Sequence, residues 1–224
     1  MRDVFVHSLN TGMVQLLRFT GSGGDRITGE AKEKLYDYYV NRFRLGQKTG
    51  IGVYEEPGIL LKPDMPGSTV QYATMTFGQG MTANMLQIAT GVAAAVNGGV
   101  YHAPYIEMGK GSQGERILSE QTSEQMRSVM VDAWQYLNKR NLRPYVSIGG
   151  KTGTAEVPLD TGGYKEGEYI GDFVGYVGAT ADRPEYVIMV RIGGKGKEMG
   201  GWNHAGPMFN EIVDFMVKYE RIGV

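Results

Sequence analysis

Apolar residues recur at helical spacing through most of residues 1–144 and at strand spacing through much of the rest. The first stripe runs from Val4 to Phe19. A polar interruption at Ser8-Leu9-Asn10 divides it, Met13, Leu16 and Leu17 continue at helical spacing, and Gly21-Ser22-Gly23-Gly24 ends it. Leu35, Tyr38, Tyr39 and Phe43 predict a second helix. From Gly46 to Thr76 the pattern dissolves into Pro and Gly turns without a period. Thr82 to Asn97 then predicts a buried helix, with Met85, Ile88, Ala89, Val92, Ala93 and Val96 on one face and Gly98-Gly99 as the stop. A fourth helix is expected from Thr122, with Gln125 closing a capping box, and a stripe of Met126, Val129, Met130, Ala133 and Leu137.

Three strands follow, over Tyr145–Val157, Asp172–Thr180 and Glu185–Ile192. The last alternates Tyr186, Ile188, Val190 and Ile192 on one face against Val187, Met189 and Arg191. The short link Ala181-Asp182-Arg183-Pro184 makes the second and third strands an antiparallel hairpin. Pro207 opens a closing helix carrying Phe209, Ile212, Val213 and Met216. Helices, then an antiparallel sheet, then a covering helix is an α+β arrangement. The division falls between a mainly helical 1–144 and a sheet-bearing 145–224.

Composition narrows the function. A net charge of −1 over 224 residues gives no electrostatic case for nucleic acid or an acidic membrane surface. The absence of cysteine removes disulfides, thiolate metal sites and cysteine nucleophiles. No run reaches the roughly 20 apolar residues of a membrane span, and Met1 to Phe5 is not a signal peptide, so a membrane anchor is expected outside these residues. Glycine, at 34 residues, is about twice its usual share and predicts many tight turns. His7, His102 and His204 are isolated and lack ligand spacing; they read as structural or surface histidines, and no metal or other cofactor is expected. Trp134 reads as core or rim, and Trp202 as a candidate wall of a groove beside the sheet. The 13 methionines read mostly as gap-fillers on helical stripes.

The feature richest in chemistry is Gly149-Gly150-Lys151-Thr152-Gly153-Thr154-Ala155. On a strand, residues 151 and 153 face one side, 152 and 154 the other. Gly153 leaves room for a ligand backbone, strand N–H groups can point at a carbonyl, and Lys151 adds positive charge beside the hydroxyls. Such a ledge suits an acyl-transfer substrate that carries a carboxylate. The triplet alone is equally an exposed strand end, and Lys48-Thr49-Gly50 repeats it among turns. Ser8 could likewise be no more than a helix N-cap, or else a proton-relaying hydroxyl beside the substrate-gripping amide of Asn10.

Ser-x-Asn followed by Lys-Thr-Gly resembles the motif pair of penicillin-binding proteins and β-lactamases. The intervening residues resemble the class B penicillin-binding proteins. Gly46-Gln47-Lys48-Thr49-Gly50-Ile51 is similar to a loop of that family. Thr76-Phe77-Gly78-Gln79-Gly80, Thr82, Gln87, Asn97-Gly98-Gly99 and Pro104 are similar to its middle stretch. Phe173-Val174-Gly175 and Ala205-Gly206-Pro207-Met208-Phe209 are similar to its ending.

The resemblance implies a β-lactamase/transpeptidase-like fold and a serine-type D-alanyl-D-alanine transpeptidase that cross-links peptidoglycan. Its expected ligands are stem peptides and the β-lactams that mimic them. It implies a proton relay at Ser8, a carbonyl grip at Asn10, electrostatic control at Lys151, and carboxylate binding by Thr152 and Thr154 around Gly153. The Thr154 N–H is implied as half of an oxyanion hole. A D,D-carboxypeptidase, a β-lactamase and a non-catalytic penicillin-binding-like module are the alternatives. The family nucleophile lies in Ser-x-x-Lys, yet none of the eight serines has lysine three residues later. The chain is therefore expected to be an N-terminally truncated, inactive portion of an extracytoplasmic, membrane-anchored protein. It is also expected to self-associate through an open edge of strand Glu185–Ile192, or to depend on a second polypeptide there. The segment from Pro158 to Gly167 reads as a hairpin loop or as a flap over an acceptor site.

Overall fold

A computed structural model describes residues 1–138, 146–159, 163–195 and 199–222. They form two compact units, Met1–Thr122 and Ser123–Val224.

In the first unit, α1 (Arg2–Val6) and α2 (Asn10–Thr20) meet at the predicted polar interruption. Gly12 of α2 lets them approach closely, because a Cβ there would lie 2.7 Å from both γ-carbons of Val4. α3 (Gly29–Tyr36) starts at Thr28, whose hydroxyl accepts from the Ala31 amide, and runs on as a π-helical turn, Asp37–Arg42. α4 (Ser68–Met75) lies where no period was expected. Its buried stripe is only Ser68, Tyr72 and Met75, two of them polar, and Val70 points outward, so hydropathy does not reveal it. Leu17, Ala31, Tyr72 and Met75 make the core here.

α5 (Met85–Val96) is capped by Asn84, whose side chain accepts from Gln87 N–H, and ends before Gly98 and Gly99, both at positive φ. Its buried face corrects the predicted one. Val96 is buried as expected, but the other buried residues are Gln87, Thr90, Gly91, Ala94 and Ala95, whereas Met85, Ile88, Ala89, Val92 and Ala93 are only half-buried. Small residues face inward because Phe43, Tyr101 and Ile117 pack against this side of the helix and its end. A two-residue hairpin, β1 (Val100–Tyr101) with β2 (Glu115–Arg116), completes this part.

The second unit is a three-stranded antiparallel sheet between helices. α6 (Glu120–Leu137) begins two residues before the predicted start, and the capping side chain is Ser119, which accepts from Thr122 N–H. Met130, Ala133 and Trp134 of this helix are buried, as is Arg127. β3 (Ser147–Pro158), β4 (Tyr164–Gly178) and β5 (Tyr186–Lys195) follow in the spatial order β3-β4-β5. Of the predicted loop 158–167, Tyr164 to Gly167 belong to β4, and Pro158 pairs with Tyr164. Asp160 to Gly162 lie outside the described residues, as does Tyr145.

The register sets two faces. Ile148, Phe173, Val177 and Val190 share one with Tyr186, Ile188 and Ile192, as the alternation predicted. This face is covered by α7 (Gly206–Tyr219) through Phe209 and Val213. Phe209 packs on Phe173 with ring centroids 4.5 Å apart and planes tilted by 44°, and it fits because Gly175 has no Cβ, which would sit 2.8 Å from its ring. Ile212, one of the apolar residues the closing helix was expected to carry, is 38% exposed and lies with Met208, Phe215 and Tyr219 among the exposed residues of α7. The other face carries Lys151, Gly153, Val174, Asp172, Met189 and Arg191, and at its Gly149–Tyr176 end it meets α6. Among the described residues no helix is long and apolar enough to cross a membrane.

Candidate functional site

Among the described residues β3 is a rim strand, paired by β4. Lys151, Thr152, Gly153 and Thr154 thus sit together where a ligand backbone can lie against a strand edge, and they alternate faces as predicted. Lys151 is half-buried, and its Nζ donates to the carbonyl oxygen of Thr152 at 3.1 Å and to its Oγ1 at 3.3 Å. Burial pushes its pKa below the ordinary lysine value, because desolvation disfavours the ammonium. A cation with a lowered pKa is suited both to field stabilisation and to proton exchange with a neighbouring hydroxyl. Gly153 is open: an added Cβ would meet only Asp172, at 3.4 and 4.0 Å. Thr154 is exposed, and its Oγ1 accepts from the amide of Gly201 at 3.0 Å.

Three neighbours were not read from the sequence. Asp172 pairs with Gly153 in register and binds Arg191 in a fork, Nε to Oδ1 at 2.7 Å and Nη2 to Oδ2 at 3.0 Å. The Asp172 carboxylate raises the Arg191 pKa. Hairpin register was the available signal, since strand partners 172 and 191 are opposite charges on one face. Gly201 begins a π-helical turn, Gly201–Ala205, that leads into α7. It packs directly on the sheet: a Cβ there would lie 2.4 Å from both the Asp172 and Gly153 carbonyl oxygens. Trp202 packs at 5.8 Å on Phe173, so its ring serves the core. His204 is held by backbone, its Nδ1 accepting from Gly200 N–H at 3.2 Å.

Ser8 and Asn10 lie together in the first unit. Ser8 is not an N-cap. It occupies the left-handed region, φ 54°, as the residue that ends α1. Its N–H donates to Phe5 O at 3.2 Å and that of Leu9 to Val4 O at 2.9 Å, which is the Schellman closure usually built on glycine. A non-glycine residue there costs roughly 1–2 kcal/mol. Asn10 is the exposed first residue of α2. The junction thus presents a hydroxyl in a strained backbone beside an exposed carboxamide.

The second Lys-Thr-Gly closes on its own chain. Glu55 is buried and accepts from the Thr49 hydroxyl at 2.7 Å, Thr49 N–H at 3.1 Å and Gly50 N–H at 3.0 Å. These donors, the hydroxyl first, hold the Glu55 carboxyl below its ordinary pKa. Buried Gln87 ties the same loop by accepting from Gly46 N–H at 3.2 Å and donating to the Pro57 carbonyl at 2.7 Å and to that of Gln47. This triplet is therefore a structural turn. Among the described residues no three His, Asp or Glu side chains are grouped to hold a metal.

Residues 1–214 match the family described as the penicillin binding protein transpeptidase domain. The chain belongs to this family. Stage V sporulation protein D of Bacillus subtilis is 34% identical over 227 residues, covering 94% of this chain and 33% of that protein. Penicillin-binding protein PbpB of Mycobacterium tuberculosis is 29% identical over 241 residues, covering 98% and 34%. This chain spans about a third of the length of these curated relatives. Among solved structures, Mycobacterium tuberculosis penicillin-binding protein 3 complexed with ampicillin superposes with a TM-score of 0.80 at 25% identity, covering all of this chain and 52% of that one. A peptidoglycan synthetase from Bifidobacterium adolescentis gives 0.78 at 27%, covering all of this chain and 41% of that one. The expected transpeptidase-like α+β fold and the class B resemblance are both borne out.

Proposed function

We propose that this chain supplies the carboxylate-binding ledge of a serine-type D-alanyl-D-alanine transpeptidase that cross-links peptidoglycan and is acylated by β-lactams. The observation that carries the reading is the rim position of Lys151-Thr152-Gly153-Thr154, with an exposed hydroxyl at 154 and open space at Gly153. In this reading Thr152 and Thr154 receive the terminal carboxylate of a stem peptide or a β-lactam. Lys151 sets the local field and proton path, Ser8 relays protons and Asn10 grips the amide carbonyl. The Thr154 N–H serves as one oxyanion donor. The nucleophile belongs to a Ser-x-x-Lys segment, a pattern that none of the serines in residues 1–224 satisfies.

That observation also favours a second reading, a non-catalytic penicillin-binding-like module. Both readings give residues 1–224 reversible but not covalent penicillin binding, because losing a serine nucleophile costs about 10⁶ in rate. Intact-mass spectrometry after incubation with benzylpenicillin should show no adduct. A stoichiometric adduct would overturn the placement of the nucleophile. Regained acylation on supplying a Ser-x-x-Lys segment from a relative in trans favours the transpeptidase over the module.

For the whole protein we place the reaction on the extracytoplasmic face of a bacterial membrane. Among the described residues β5 pairs only with β4. Its apolar stretch Val187 to Val190 supports self-association at this rim. A clean monomer by light scattering at high concentration would refute it.

A further inference from the structure

Thr154 recognises an anion only if its hydroxyl proton faces the ligand. A hydroxyl has one donor and two acceptor lone pairs, whereas an ionised carboxylate only accepts. The Gly201 amide, 3.0 Å away, already fills one acceptor site of Thr154 Oγ1. That contact fixes where the remaining donor can point. Gly201 is itself buried and wedged against the carbonyls of Gly153 and Asp172, so its N–H has little freedom across the sheet. What closes the turn on its other side is His204. The Gly200 N–H donates to His204 Nδ1 at 3.2 Å, and the His204 N–H donates to Gly200 O at 3.2 Å. With Nδ1 accepting, the neutral ring carries its proton on Nε2.

We propose that His204 is a positioning residue for carboxylate recognition: its reciprocal bonds with Gly200 hold the Gly201 N–H on Thr154 Oγ1, which leaves the Thr154 O–H directed to the ligand carboxylate. The inference rests on the reading above that Thr154 receives the terminal carboxylate, and it adds a residue to which neither the motif nor the family comparison gives a role. His204 touches no ligand in this scheme. It acts through Gly200, Gly201 and Thr154 in turn. Asparagine is the informative replacement, because its Oδ1 stands at the position of Nδ1 and also accepts.

The test is a double-mutant cycle on the 224-residue chain. The readout is the ratio of affinities for an N-acylated D-alanyl-D-alanine dipeptide and for its C-terminal amide, measured by NMR titration. Thr154→Val should cut the ratio about tenfold or more, the range expected for a hydrogen bond to a charged group, while Thr154→Ser keeps it. His204→Ala should lower the ratio severalfold when Thr154 is present and not further in Thr154→Val, and His204→Asn should restore it. An equal loss in both backgrounds, or no rescue by asparagine, overturns the positioning role while leaving carboxylate binding intact. If the chain does not discriminate between the two peptides, the carboxylate reading fails instead. The link is then judged from the Gly201 amide alone: faster hydrogen exchange in His204→Ala but not in His204→Asn supports it, and unchanged exchange overturns it. Trp134 and Trp202 fluorescence, both in this unit, checks that each variant is folded.

Discussion

Gly153 and Gly201 touch across the sheet surface, yet a methyl group should be costly at one position and nearly neutral at the other. In Gly201→Ala the new carbon would lie 2.4 Å from the carbonyl oxygens of Asp172 and Gly153 and 3.0 Å from Gly153 N. All three atoms belong to paired strands and cannot swing aside, so the turn at 201 must lift. Overpacking of this kind costs about 1–3 kcal/mol, and breaking the Gly201–Thr154 hydrogen bond adds about 1 kcal/mol. The sum, about 2–4 kcal/mol, is a large part of the roughly 5–15 kcal/mol that holds a domain together. In Gly153→Ala the carbon meets only Asp172 Cβ at 3.4 Å and Oδ2 at 4.0 Å, ordinary contacts, and Gly153 is not among the positive-φ glycines. Its stability should stay within about 1 kcal/mol of the parent, with a gain allowed by the stiffer unfolded chain. Urea unfolding followed by tryptophan fluorescence reports on this unit alone, because the only tryptophans, Trp134 and Trp202, are both in it. A slope of about 2 kcal/mol per molar, the middle of the usual range, puts the Gly201→Ala midpoint about 1–2 M lower. Equal costs for the two variants, or a Gly201→Ala cost below about 1 kcal/mol, would refute the packing argument. Gly153→Ala should nevertheless weaken binding of a carboxylate peptide, since it fills the space proposed for the ligand backbone.

Gly12→Ala should destabilise the first unit by about 1–3 kcal/mol through its clash with Val4, and Val4→Ala should recover part of that in the double variant. Circular dichroism during urea unfolding measures both, and a purely additive pair would count against the contact. Glu55 stabilises its loop in the ionised form, so its contribution is present above the ordinary carboxylate pKa and is lost as pH falls through the lowered Glu55 pKa. The Gly50 amide proton, followed by NMR, should titrate with a midpoint below about 4.3, and the titration should vanish in Glu55→Gln. A midpoint at or above that value contradicts the clamp. Gln87→Ala leaves the Gly46 amide and two carbonyls without their partner and should cost about 2–4 kcal/mol. Unchanged hydrogen exchange at Gly46 would show that the buried carboxamide does not hold the loop.

What the sequence makes legible here follows from how each signal is encoded. Strand alternation survived in β5 because register errors of two residues preserve faces. The actual hairpin closes more tightly than the four-residue link predicted, with Thr180 bridging Arg183 and Val177 opposite Tyr186. That shift left the inward face correct but hid the Asp172–Arg191 pair. The α5 face was misread for a different reason: its inner side is lined by Gly91, Ala94 and Ala95, so side-chain size ran against burial. α4 was missed because polar Ser68 and Tyr72 form much of its inner stripe, with Tyr72 satisfied by the Leu61 carbonyl at 2.8 Å. At the candidate site, the motif residues on β3 were readable because they are contiguous. Gly201 was not, because its contact with Thr154 depends on a chain return of about fifty residues that no local pattern records, and His204 joins this region only through its bond with Gly200.

A sheet of three strands has only one strand between its two rims, which places them about 10 Å apart at the usual spacing. Whatever zips onto β5 therefore pulls on β4, and among the described residues β4 is the strand that supports the Lys151 ledge within the sheet. Such a narrow ribbon cannot isolate one margin from the other mechanically. Tension applied at the far hem should be felt as a change in the pitch of the strand that carries Thr154.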